Sequence, residues 1–444
     1  MIDRLELEKL AARVLAAVKK EAPSADVLAR VGSGRKANVR FGANEIESCG
    51  DVTEESIDLD VALGKRRASV SGNQIDDPSI AALVSRAVAM ARVAPEDPEA
   101  MPLLPPQAYT TVPAAYDRAM AEMSSDARAA MAQTAIVSAR QAGLNGAGFF
   151  RHEGGTLVLA SSAGLVAHHG RTYGSFSMTA RTKDATGSGW GMRASHESRG
   201  IDAGAVARTA AEKAARSAKA RPLEPGKYTV VLEPAAVGDL LEFLAEPLSA
   251  RAVDEGRSAL TRPGGGSRLG EAIASPLVSL RSDPADPALP VAPFDPEDGL
   301  PRAPIAWIDR GVLSALDYSR FWAAKQGKPP TSGGNWHLTG GEAKSLDELV
   351  AGVKRGLLVT RFWYTRVLDP HEASVTGLTR DGVVLIEDGK VTVPVNNFRF
   401  NHSPLTMLKN CEAMTRETWR VSAWMRVPAL RTAEFNMASI SAAV

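Results

Sequence analysis

Midway along the chain an alanine-rich stretch, residues 203–220, runs into Arg221-Pro222-Leu223-Glu224-Pro225-Gly226 and at once into Tyr228-Thr229-Val230-Val231-Leu232. Alanine favours helix more than any other residue, proline removes the donor and the φ freedom that a helix needs, and β-branched residues suit a strand. A helix therefore ends one unit and a strand opens the next. At ~100–200 residues per domain, a chain of 444 residues is also too long for one ordinary domain. We expect an amino-terminal domain over residues 1–222 and a carboxy-terminal domain over 223–444.

In the first half, Leu7, Leu10, Ala11, Val14, Leu15 and Val18 recur at the helical period and predict an opening amphipathic helix. Short strands follow at 26–31, 37–48, 56–62 and 68–71, with turns at 32–34, 42–44 and 72–73. Helices are expected over 78–94 and 125–142, and alternating sheet segments between 146 and 198. In the second half, Val237, Leu240, Leu241 and Leu244 share one face of a helix expected over 235–246, which Pro247 ends. Residues 281–304 hold seven prolines and read as an extended loop, either a cover over a site or a surface excursion. Val383-Val384-Leu385-Ile386-Glu387 and Val391-Thr392-Val393-Pro394-Val395 flank Asp388-Gly389 as a hairpin. The fold class is α+β.

Lys plus Arg number 52 and Asp plus Glu 51, with no basic block, which argues against a nucleic-acid partner. The start, Met-Ile-Asp-Arg-Leu-Glu, is unlike a signal peptide, and no apolar run reaches the ~18 residues of a membrane span. Cys49 and Cys411 are too far apart in sequence for a paired metal motif. A reducing cytoplasmic setting without membrane contact fits these features.

Chemical motifs are sparse. Gly32-Ser33-Gly34-Arg35-Lys36-Ala37 matches a loose dinucleotide fingerprint, but a strand pattern rather than a helix follows, so it reads as a turn. No Gly-x-Ser-x-Gly elbow is present. Three of the seven histidines, His152, His196 and His371, precede glutamate, yet none has a second histidine four or five residues on. Cys411 reads as a buried, inert thiol.

Four ordered blocks carry a resemblance: Gly226-Lys227-Tyr228-Thr229-Val230-Val231-Leu232-Glu233-Pro234, Phe294-Asp295-Pro296-Glu297-Asp298-Gly299-Leu300-Pro301, Ile308-Asp309-Arg310-Gly311-Val312-Leu313 and Ile386-Glu387-Asp388-Gly389-Lys390-Val391-Thr392-Val393-Pro394-Val395. Each is a common strand or turn sequence, but their order and spacing resemble the TldD/PmbA family, labelled modulators of DNA gyrase and understood as metalloprotease subunits. The resemblance implies a carboxy-terminal domain that is β-rich and barrel-like, beside an amino-terminal sheet-plus-helix domain. In the family's active subunit a His-Glu-x-x-x-His helix follows the strand that resembles Tyr228 to Leu232, and a cysteine near the carboxy terminus is the third ligand. Here the corresponding helix, over 235–249, is degenerate: Glu242 and Pro247 stand at the histidine positions, Phe243 at the general-base position and Ser422 near the cysteine position. Proline offers no side-chain donor and phenylalanine accepts no proton.

The resemblance is therefore to the PmbA (TldE) subunit, which lacks the zinc motif. It implies that this chain binds no cofactor, that zinc belongs to a TldD-like partner in a heterodimer, and that the complex degrades or processes unfolded peptides captured by strand addition. The alternatives are a stand-alone homodimeric hydrolase with a non-zinc catalytic set, or a structural partner in peptide maturation. For the hydrolase, Glu242 and Glu246 are four residues apart on the expected helix, as an acid/base or cation-gripping pair would be, although such pairs also occur on plain solvated faces. The loop Gly333-Gly334-Asn335-Trp336-His337 adds Asn335, Trp336 and His337 as candidate cavity or peptide contacts, or simply a turn with a packed tryptophan.

Overall fold

The computed structural model describes residues 2–112 and 115–441. Helix α1 (Arg4–Glu21) is capped by the Asp3 side chain and buries Leu7, Leu10, Ala11, Val14 and Val18, the stripe read from the sequence. Strands β1 (Asp26–Gly42), β2 (Glu45–Leu63) and β3 (Arg66–Gly72) form a meander. Helices α2 (Asp77–Val93), α3 (Arg118–Ala121) and α4 (Ser125–Gln141) follow, then β4 (Asn145–Ser161), β5 (Val166–Arg181), β6 (Ser188–Ser195) and α5 (Ala203–Ser217). The strands make one antiparallel sheet in the order β3-β2-β1-β4-β5-β6, so β3 and β6 are its edges. On β1 the alternating residues Val27, Ala29, Val31 and Val39 are buried. The first three pack with α1 and α2, and Val39 packs with α4 and α5.

The turn expected at residues 32–34 does not exist. Strand β1 runs straight through it, with Gly32 opposite Leu157 and Gly34 opposite Gly155. These glycines serve a close backbone approach: a Cβ on Gly155 would lie 3.0 Å from the Ser33 carbonyl oxygen. The chain reverses at Ala43 and Asn44, within the turn expected at 42–44, where φ angles of 49° and 64° suit a tight hairpin.

The second half opens with β7 (Gly226–Leu232) and α6 (Pro234–Leu241), a 3-10 turn (Glu242–Leu244) and α7 (Ala250–Asp254). Next come β8 (Ser279–Ser282), β9 (Ile305–Asp309), β10 (Val312–Leu313), α8 (Arg320–Gln326), β11 (Trp336–Thr339) and α9 (Leu346–Ala351). The chain ends in β12 (Arg355–Asp369), β13 (Ser374–Glu387), β14 (Lys390–Val395), β15 (Asn397–His402), α10 (Pro404–Lys409), β16 (Cys411–Arg420) and β17 (Met425–Ser441). The sheet order is β10-β9-β8-β11-β17-β15-β13-β12-β7, and β7 also pairs with β17. Strands β17, β15, β13, β12 and β7 thus close a ring, the barrel-like region of an α+β fold. Helix α6 contributes Ala236, Val237, Leu240 and Leu241 to its core.

The expected helix over 235–249 is shorter than the sequence pattern implied. It stops at Leu241 and tightens into the 3-10 turn. Pro247 has no N–H to give, and in a continued helix its ring would press on the Phe243 carbonyl. Glu242 and Glu246 therefore do not share a regular α-helical face.

The proline-rich segment is a strap between the halves. Phe294 is fully buried against Leu28, Leu159, Leu165 and Ala167. The Tyr109 hydroxyl donates to the Gly299 carbonyl at 2.8 Å and Arg30 donates to the Glu297 carbonyl at 3.0 Å. A second tie is polar: Ser188 on β6 donates to Asp381 on β13 at 2.6 Å, and Asp381 accepts from Arg361 on β12. Lys213 on α5 pairs with Glu233, the residue before α6.

Candidate functional site

Helix α6 leaves the end of β7 between two clefts. The first, of about 340 Å³, lies between β6 and α5 on one side and the start of α6, residues 344–346 and β16 on the other. The second, of about 420 Å³, lies beyond the 3-10 turn, under the strap, with Trp307, Trp336 and Trp424 in its wall and Asp295, Asp298 and Asp317 around it. Its acids are largely answered: Arg302 lies 3.8 Å from Asp295 and Arg320 lies 3.5 Å from Asp298. Thr331 donates to Asp317 at 2.8 Å, and burial raises the Asp317 pKa above the usual carboxylate value.

In the first cleft the Arg193 guanidinium sits over the Trp419 ring at 4.2 Å and donates to the Met192 carbonyl at 2.9 Å. Arg420 lies over the Tyr173 ring at 5.3 Å and donates to the carbonyls of Ser422 at 3.1 Å and Ala423 at 2.8 Å. One of its nitrogens is 3.1 Å from His196 Nδ1. Burial pulls the Arg420 pKa down to about 10, and the nearby cations Arg171 and Arg426 push the same way. Among the described residues strand β6, which forms one wall, has no strand partner beyond β5. The outward N–H and C=O of Ser188 are taken by the Ser217 hydroxyl at 2.9 and 2.7 Å, while farther along the edge, among the described residues, only the Met192 carbonyl is capped, by Arg193.

The sequence candidates are dispersed. Glu242 is exposed in the 3-10 turn, where partial desolvation raises its pKa. Phe243 packs against the core and Pro247 is buried. The Ser422 hydroxyl accepts the Trp424 N–H at 3.3 Å. One carboxylate, a phenyl ring, a proline and an engaged hydroxyl do not make a zinc donor set. Zinc therefore does not fit these four positions. Among the described residues, no group of three or more His, Cys, Asp or Glu side chains is placed to hold a metal ion.

Glu246 lies 3.8 Å from Arg257. His337 Nδ1 is 3.4 Å from Asp286, whose pKa that contact lowers, and its Nε2 is 3.1 Å from the Thr418 hydroxyl. Among the described residues no hydrogen bond or ion pair links Glu242, Glu246 and His337 to one another. Asn335 is a strap anchor: its amide nitrogen donates to the carbonyls of Asp283 at 2.7 Å and Leu289 at 2.8 Å, and its oxygen accepts the Asp283 N–H at 2.9 Å. Trp336 packs edge-on to Trp424 with centroids 5.3 Å apart. The preceding Gly334 has φ +83°, and a Cβ there would strike the Arg302 side chain at 2.7 Å.

Sequence reasoning missed Asp239, Arg193 and Arg420. Asp239 on α6 is partly buried, accepts the Phe362 N–H at 2.8 Å and has its pKa pushed up to about 7, mainly by desolvation, with Glu242 adding repulsion. Its spacing from Glu242 was a visible signal, because three residues is one helical turn. The arginines lie on different halves, and nothing in their spacing announced the meeting. Cys411 is buried, with its pKa pushed up to about 12 by burial, consistent with an inert thiol.

Three family models match the chain: the PmbA/TldA metallopeptidase domain 1 over 27–91, the central domain over 109–218 and the C-terminal domain over 225–439. A protein of Methanothermobacter thermautotrophicus described as a metalloprotease is 26% identical over 223 residues, which span 47% of this chain and 47% of that relative, about half of each. Among solved structures, a modulator of a DNA gyrase from Thermotoga maritima superposes with a TM-score of 0.84 at 19% identity, covering 97% of this chain and 99% of that one. A modulator of DNA gyrase from Bacteroides thetaiotaomicron gives 0.83 at 22% identity, covering 98% and 99%. TldE from Thermococcus kodakarensis gives 0.82 at 17% identity, covering 96% and 99%. At these identities the superpositions establish the fold.

Proposed function

The chain belongs to the PmbA/TldD metallopeptidase family, and from that premise we propose that it is a non-metal-binding, TldE-like subunit that pairs with a zinc-bearing homologue to degrade or process unfolded peptides in the cytoplasm. The observation that carries this reading is the donor set after β7. Where the resemblance places two histidines, a general base and a third ligand, the chain has Glu242, Pro247, Phe243 and Ser422. Its part in the reaction is then to bind and to shape.

The unpaired edge of β6 supports peptide capture by strand addition, which reads main chain and tolerates many sequences. Arg193 and Trp419 stand beside that edge. The Lys213–Glu233 pair joins the two walls of the first cleft, and the Ser188–Asp381 bond ties the same two halves outside it. Among the described residues no helix is long and apolar enough to cross a membrane.

The test is size-exclusion chromatography of this chain mixed with a homologue from the same genome that carries intact His-Glu-x-x-x-His, followed by a peptidase assay on each fraction. A mixed species that hydrolyses unfolded peptide, while this chain alone does not, is the expected result. No mixed species, with no gain in hydrolysis, removes the proposal.

A further inference from the structure

The first cleft carries more positive charge than the chain itself neutralises. Its charged lining is Arg193, Lys213, Lys344 and Arg420 against Glu233 and Glu417. Lys213 and Glu233 pair with each other. Glu417 is exposed and acts on Arg193 from beyond ion-pair distance. All the hydrogen bonds of Arg420 go to neutral acceptors, two carbonyls and an imidazole nitrogen, and Arg193 gives one bond to a carbonyl. Among the described residues neither guanidinium has a carboxylate within ion-pair distance.

Withdrawing a cation from water is costly unless a counter-charge or full hydrogen bonding replaces the lost hydration. Stacking on Trp419 and Tyr173 compensates in part but supplies no negative charge. Among the described residues the Nε and Nη2 groups of Arg193 have no acceptor, so a planar fork of donors remains for an outside one. That fork stands beside the open edge of β6.

We propose that this cleft binds the carboxylate of an extended peptide, with Arg193 and Arg420 holding the anion and the β6 edge holding the adjoining main chain. The carboxylate comes either from the peptide's own carboxy terminus or from an acidic side chain. Lys344, exposed at the rim, adds long-range attraction. This inference rests on the reading of the chain as a peptide-handling subunit and specifies what that subunit selects. Phe243, Pro247 and Ser422 take no part in it.

The experiment titrates the full-length chain, calorimetrically, with three versions of one N-acetylated, otherwise uncharged hexapeptide: free acid, carboxy-terminal amide, and amide with one aspartate near the end. The free acid is expected to bind at least about tenfold more tightly than the neutral amide, the scale of one hydrogen bond to a charged group. If the aspartyl amide matches the free acid, a carboxylate from either source serves; if it matches the neutral amide, the source is the carboxy terminus; if it alone binds more tightly than the neutral amide, the source is a side chain. Arg193→Gln is expected to abolish the preference and Arg193→Lys to retain part of it, with circular dichroism confirming that both fold. Should Arg193→Gln not fold, Lys344→Gln at the rim is expected to weaken binding of the charged peptide and leave the neutral one unaffected, and unchanged binding of the charged peptide counts against the proposal. Equal binding of all three versions by the unsubstituted chain, no binding of any at millimolar peptide, or a preference that survives Arg193→Gln overturns the proposal. None of these results depends on a mixed species with the zinc-bearing homologue, so the two ideas fail separately.

Discussion

Asp381→Asn probes the tie between the halves. Asp381 has no exposed side-chain surface, accepts from Arg361 Nε at 2.6 Å and from the Ser188 hydroxyl at 2.6 Å, and lies 4.0 Å from the Arg380 Nε. Asparagine keeps the size, can still accept from Ser188 and tolerates the native φ of 60°. It removes the carboxylate charge that faces both guanidiniums, and among the described residues Arg380 Nε already has no hydrogen-bond partner. Removing one member of a buried pair costs about 3–5 kcal/mol. The low end, ~3 kcal/mol, applies here because Arg361 keeps its stacking on Trp190, 4.6 Å away. Urea unfolding at pH 7 measures the loss, and a cycle with Arg361→Met isolates the pair. We expect a coupling of about 2 kcal/mol or more, with the double variant recovering most of the stability. A loss under about 1 kcal/mol with no coupling, the size of a surface ion pair, refutes the reasoning.

Phe294→Ala removes the strap's apolar anchor and is expected to cost about 3–5 kcal/mol, with faster proteolytic cutting near residues 284–300; unchanged stability and cutting would show that the strap is not held by this ring. His152, His169 and His402 are buried, each with its pKa lowered to about 4, chiefly by desolvation. The folded pKa is below the unfolded one, so the contribution is complete above pH ~6.5 and is lost as pH falls toward 4, at up to about 1.4 kcal/mol per pH unit for each ring; unfolding free energies at pH 7 and 5 check this, and equal values contradict it. Asp239 acts oppositely: its pKa is raised to about 7, so its contribution is complete below the unfolded carboxylate value and is lost as pH rises through the folded one. Asp239→Asn is therefore expected to steepen the gain in stability between pH 4 and 6.5 by about 1.4 kcal/mol per pH unit, and an unchanged slope would mean that the native carboxyl is already ionised.

Local period and punctuation carried the sequence reading furthest. The stripe from Leu7 to Val18, the Asp388-Gly389 hairpin and the break between α5 and β7 each depend on neighbours within a few residues, and each lies where the sequence placed it. Gly32 and Gly34 misled because glycine signals a turn locally, whereas here they lie mid-strand, Gly34 against residues 154 and 155 on β4 and Gly32 beside Ser56 and Thr156. The closing pair of the ring, β7 with β17, joins Leu232 to Leu430, and no local pattern specifies so distant a register. The candidate site follows the same rule. The start of helix α6 was legible because Val237, Leu240 and Leu241 recur at helical spacing, while Ser188 meets Asp381 across 193 residues and Arg193 meets Trp419 only once the halves have docked. Asn335 and Trp336 looked like site residues because glycine-flanked loops carry function; in the fold Asn335 pins the strap and Trp336 also walls the second cleft.

The zinc content of the purified two-protein assembly, measured with its peptide hydrolysis, goes most directly to the claim that this chain contributes form and its partner the metal. The account predicts one zinc per pair, none retained by this chain after separation, and hydrolysis only when both are present. Zinc bound stoichiometrically by this chain in isolation, together with peptide cleavage by it alone, would contradict the account.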